Sequence, residues 1–140
     1  MKFDTEAARK AKAELAVKLE QIAMKYVPEG YRVEYRKSLT GFCFGKQKLI
    51  QAPKPVTRKS LYIFLHECSH ANLHVNGKRE KRYIEEYQAE QFAHEKMRAE
   101  GIKVPREMTE RAKRYVRRKI AQAEKRGAKN IDAAVRRWSA

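Results

Sequence analysis

The sequence predicts a single α+β domain, and three observations carry that expectation. Apolar residues recur at helical three- and four-residue steps over most of the chain. Between residues 31 and 52 the period falls to two, the signature of short strands. A run of 140 residues is long enough for one core and too short for two.

In order, residues 4–26 read as a helix. Asp4 or Thr5 can cap it, and Ala8, Ala11, Leu15, Leu19, Ile22 and Tyr26 form its apolar stripe. Pro28-Glu29-Gly30 closes it. Tyr31, Val33 and Tyr35 then alternate with charged residues. Phe42-Cys43-Phe44 stands between two glycines, and Lys48-Leu49-Ile50-Gln51 follows. Together they predict about three short antiparallel strands, ended by Pro53 and Pro55. A second helix is expected from Arg58–Leu61 to Asn76-Gly77, and a third over 81–99, broken by Gly101. Pro105 opens a fourth over about 106–126, ended by Gly127, and Asn130 is expected to cap a last short one reaching Trp138.

The second helix carries Leu65-His66-Glu67-Cys68-Ser69-His70-Ala71. On a helix, His66 and His70 share a face, with Cβ atoms about 5–6 Å apart, close enough to grip one ion. Glu67 can turn toward the same ion without binding it. This is the HExxH arrangement: two neutral imidazole ligands and a carboxylate that takes a proton from activated water. Cys68 points to another side of the helix and reads as a small buried apolar residue.

A third protein ligand is required of a catalytic site. The next helix offers Glu86 and Glu90, four apart on one face; one can bind the ion while the other accepts a hydrogen bond from a ligand imidazole. Glu85 reads as exposed and salt-bridged. His74 lies about 12 Å along the axis from His66, too far to share its ion, and reads as a neighbour at the pocket edge. Tyr83, Tyr87 and His94 are candidates to touch substrate or an oxyanion.

Thr57-Arg58-Lys59-Ser60-Leu61-Tyr62-Ile63-Phe64-Leu65 running into the motif, then Leu73-His74 and Glu86-x-x-Ala89-x-x-Phe92-Ala93, resembles the ImmA/IrrE family of small metallopeptidases. Tyr83-Ile84-Glu85-Glu86-Tyr87-Gln88-Ala89-Glu90 is also similar to the metallopeptidase domain of ArdC-type antirestriction proteins. The resemblance covers about residues 40–95. Cys68-Ser69 departs from the Leu-Gly common inside the motif, which removes no catalytic group. The resemblance implies a zincin-like, gluzincin-type fold and peptide-bond hydrolysis with Zn2+. It makes His66, His70 and Glu86 the ligands and Glu67 the general base, with Glu90 bonded to a ligand imidazole. It also implies a phage or mobile-element setting.

The net charge of +16 and a pI near 10.0 point to anionic partners. The excess concentrates in residues 103–140, expected as a basic extension packed on the metallopeptidase core of 1–102; it holds 13 Lys and Arg against 4 Asp and Glu. Arg111, Arg114, Arg117, Arg118, Lys119, Lys125 and Arg126 stand opposite an apolar stripe of Ala112, Tyr115, Val116, Ile120 and Ala123. They are candidates for nucleic-acid contact, chiefly to phosphate. DNA-associated proteins are therefore expected substrates. The rival reading is a nucleic-acid-binding protein with a structural or idle zinc site, although such a site has no need of Glu67. No apolar run of about 18 residues exists to span a membrane, and Met1-Lys2-Phe3-Asp4 begins no signal-peptide hydrophobic stretch. With two cysteines, Cys43 and Cys68, read as free thiols, the expected location is cytoplasmic.

Overall fold

The computed structural model describes residues 5–75 and 79–140. Among them the chain forms five helices and a three-stranded sheet: α1 (Glu6–Met24), β1 (Arg32–Arg36), β2 (Phe42–Phe44), β3 (Leu49–Pro53), α2 (Arg58–Leu73), α3 (Arg82–Ala99), α4 (Arg106–Lys125) and α5 (Ala133–Ser139). None of the described helices is long and apolar enough to cross a membrane.

The sheet has the order β1-β3-β2 and is mixed, a correction to the antiparallel expectation. β3 pairs parallel with β1, Val33 opposite Ile50, and antiparallel with β2, Cys43 opposite Ile50. The segment containing β2 serves as the connection that lets β1 and β3 run the same way. Alternating residues look alike in either pairing, so the pattern alone could not decide it.

β3 is the central strand, with Leu49, Ile50 and Ala52 buried against α2. α2 begins at a capping box: Thr57 accepts from the Ser60 amide at 3.1 Å, and Ser60 Oγ accepts from the Thr57 amide at 2.9 Å. Leu61, Phe64, Leu65 and Cys68 are fully buried and form the core with Leu19 and Ile22 of α1, Ala93 and Met97 of α3, and Met108 and Ala112 of α4. A smaller cluster joins Tyr83, Val116, Ile120 and Val135 beneath α5. Ala89, with no exposed surface, lets α3 lie close along α2. At Gly101 (φ 74°) and Gly127 (φ 97°) the left-handed backbone ends α3 and α4.

One burial pattern and two boundaries differ from expectation. Only Leu19, Ile22 and Ala23 of α1 are buried, while Ala8, Ala11 and Leu15 are exposed, so the first turns of α1 extend past the core. α2 ends at Leu73, with His74 as its cap, ahead of Asn76-Gly77, which lies outside the described residues, as does Asp4. Asp132, not Asn130, caps α5, its carboxylate accepting from the amides of Ala134 and Val135.

Candidate metal centre

α2 and α3 run side by side and turn His66, His70, Glu86 and Glu90 toward one another. His66 Nε2 and His70 Nε2 stand 3.3 Å apart. Glu86 closes the triangle, Oε1 at 3.3 Å from His66 Nε2 and Oε2 at 3.1 Å from His70 Nε2. His66, His70 and Glu86 are the one group of three or more such side chains among the described residues that could hold a metal ion.

The hydrogen bonds around the triangle fit a cation at its centre. Glu90 Oε1 lies 2.5 Å from His66 Nδ1. A carboxylate only accepts, so His66 holds a proton on Nδ1, which leaves Nε2 as the ring atom turned inward to meet an ion. Glu86 Oε2 is buried without a hydrogen-bond partner; its other neighbour is Arg82 Nε at 3.6 Å. Two imidazole Nε2 atoms and a buried carboxylate turned toward one point form a donor set that could hold a metal ion.

Burial would raise the Glu86 carboxyl, yet its contacts with His66 and His70 hold it well below the ordinary carboxylate range. Burial would lower His66, but Glu90 and Glu86 raise it well above its usual value. Glu67 is 7% exposed, and burial holds it above the usual range although His66 and His70 pull it back.

Glu67, His66 and His70 open into a cleft of about 600 Å³, walled opposite α2 by the edge strand β2 and closed on another side by Tyr115. The backbone approaches Glu67 closely. A Cβ on Gly41 would lie 2.7 Å from Glu67 Cγ and 2.9 Å from the Gln51 carbonyl, so only glycine leaves the carboxylate where it is. Cys43 faces the same cleft, its thiol pushed up to about 12 by burial and by Glu67; Cys68 has no exposed surface.

Several sequence candidates sit elsewhere. His94 is 4% exposed and bonded to the Glu90 carbonyl at 2.7 Å and to Thr109 Oγ1 at 2.8 Å, away from the cleft. Each four-residue step from Glu86 turns about 40° round the helix, and two steps carry His94 toward α4. Tyr83 is buried beneath α5, where its hydroxyl accepts from the Asp132 amide at 2.9 Å. Tyr87 packs edge-on against Trp138. Glu85 is buried instead of exposed: Arg79 grips it with two bonds of 2.9 and 3.0 Å, and the Glu80 amide adds a third.

The residue that sequence reasoning missed is Tyr115, read as part of the apolar stripe of α4. Its hydroxyl donates to Glu86 Oε1 at 3.1 Å and its ring lies 6.3 Å from that of His66. Burial, and then Glu86, raise its pKa. A tyrosine in a stripe of Ala, Val and Ile was the available signal, because a buried hydroxyl needs a partner.

On α4, Arg114, Arg118, Lys125 and Arg126 are exposed and Lys119 is half-buried. Arg111 and Arg117 are tied to the fold through the carbonyls of Leu39 and Ser139. No family model, curated protein or solved structure matches the chain.

Proposed function

We propose that the protein is a zinc-dependent metallopeptidase of the HExxH type, with a zincin-like fold. The observation that carries this reading is the convergence of His66 Nε2, His70 Nε2 and the Glu86 carboxylate, with the non-ligating Glu67 in the same cleft. When bound there, zinc supplies a Lewis acid that acidifies water and polarises a carbonyl.

The chain's own groups do the rest. Glu67, its proton affinity raised by burial, takes a proton from water attacking a peptide carbonyl and passes it to the departing amine. Glu90 holds His66 in the tautomer that binds. Tyr115 steadies Glu86 and has its hydroxyl at the cleft wall, where it is the best-placed candidate to meet a developing oxyanion. β2 pairs on one side only, so an extended peptide can align along its free edge through backbone hydrogen bonds. Phe42 and Phe44, 49% and 39% exposed, offer that peptide apolar contact.

Unfolded casein and a mixed peptide library test the reading. Purified protein carrying about one zinc per chain should cleave them, lose the activity to a chelator and regain it with added zinc. Metal-loaded protein that cleaves nothing in either would favour the rival, an idle or structural zinc site.

A second proposal concerns the partner. α4 buries Met108, Ala112, Val116 and Ile120 and turns Arg114, Arg118, Lys125 and Arg126 outward. That mainly basic face, whose Glu107, Glu110 and Glu124 are paired with Lys59, Arg106 and Arg136, supports contact with nucleic-acid phosphates, and through it with DNA-associated protein substrates of a phage or mobile element. Fluorescence anisotropy with a labelled duplex should show binding that weakens steeply with salt, the affinity falling about 10³-fold or more between 50 and 200 mM if six or more phosphates are neutralised. Binding that is absent, or indifferent to salt, removes the proposal.

A further inference from the structure

We infer that His74 and Gln88 are positioning residues that fix the tautomer of His70, through a hydrogen-bond relay starting at Glu80 and ending at the metal centre. The inference rests on the metal-centre reading and not on peptidase activity.

The relay follows from which groups can donate. Gln88 Nε2 lies 2.8 Å from Glu80 Oε2, and a carboxylate only accepts, so the amide NH2 must face Glu80. Its carbonyl, Oε1, therefore faces His74 Nε2 at 2.7 Å and requires a proton there. The ring is buried and its Nε2 partner is a neutral amide, with no carboxylate bonded to it to hold a second proton, so His74 Nδ1 presents a lone pair. That lone pair lies 2.9 Å from His70 Nδ1, which consequently carries a proton. His70 is left with its Nε2 lone pair toward Glu86 and His66.

His66 and His70 are thus oriented by different devices. One meets a carboxylate directly; the other meets a neutral pair, His74 and Gln88, whose polarity is set beyond them by Glu80. The spacing makes the chain possible: His74 is one turn beyond His70 on α2, and Gln88 faces it from α3. His74 is 5% exposed, and an imidazole buried there without such partners would be costly.

Two measurements on the full chain test the relay. In long-range 1H–15N spectra of 15N-histidine protein, metal-free and zinc-loaded, His74 should show a protonated Nε2 and a bare Nδ1. Zinc affinity is then measured by competition with a chromophoric chelator. His74→Leu, which cannot accept the His70 proton, should bind zinc about 10- to 100-fold more weakly, whereas His74→Asn, whose Oδ1 can take the place of Nδ1, should stay within about 3-fold of wild type. Gln88→Leu, which keeps His74 itself, should return a mixture of His74 tautomers. The relay is overturned if His74 proves protonated at Nδ1, if His74→Leu binds as tightly as wild type, or if the Asn and Leu variants weaken equally. Tautomers as inferred in a wild-type chain that takes up no zinc would sink the metal reading and leave the relay standing.

Discussion

Replacing Glu67 by Gln should lower peptide hydrolysis about 10²- to 10⁴-fold, the range of a lost general base, while leaving zinc content near one per chain. The substitution keeps the volume and the apolar stem that rests against Gly41, and removes the ability to take up a proton. Glu67 is no member of the donor set of His66, His70 and Glu86, so the ion should stay. Turnover and metal content, measured on one preparation, are the informative pair. An unchanged rate in the variant would show that another group moves the proton. A simultaneous loss of metal would make Glu67 a ligand or a structural support, and the division of labour proposed above would be wrong.

The second large effect is expected from His66→Ala/His70→Ala. It removes two of three donors and leaves the Glu86 carboxylate buried beside Tyr115. Zinc content should fall to background. Saturating zinc at 100 times its dissociation constant should stabilise the wild type by about 2.7 kcal/mol, because an ion that binds only the folded state shifts the equilibrium by mass action. For a chain of this size that corresponds to a rise in melting temperature on the order of 10 °C. The variant should show no zinc-dependent rise. An equal rise in both proteins would place the ion elsewhere.

Much of the architecture was legible because local chemistry announces it. Thr57 and Ser60 mark the start of α2, Gly101 and Gly127 stop α3 and α4, and the four-residue spacing of His66, His70, Glu86 and Glu90 brings them to facing helices. What depends on distant packing was not legible. Strand alternation in 31–52 is satisfied by parallel and antiparallel partners alike, so the pairing of β1 with β3 had no local mark. The stripe of α1 promised a buried face along its whole length, but a stripe is covered only as far as the core extends, and Ala8, Ala11 and Leu15 stay exposed. Tyr115 stands 29 residues beyond Glu86 on another helix, and its approach to Glu86 depends on how α4 packs on α3. Glu85 was misread for the same reason: its burial depends on Arg79, whose side chain folds back over the start of α3.

The donor atoms of the centre all come from two consecutive helices, with fifteen residues between His70 and Glu86. An ion held by all three side chains would therefore act as a removable crosslink across a helical hairpin. By the chain-entropy account of crosslinks, closing a loop of that length disfavours the open chain by about 3 kcal/mol. Demetallation would then be felt first as a local loosening of α2 from α3, with faster amide exchange along their shared face. The sheet contributes no donor to the centre, so β1 and β3 should keep their pairing while the hairpin breathes.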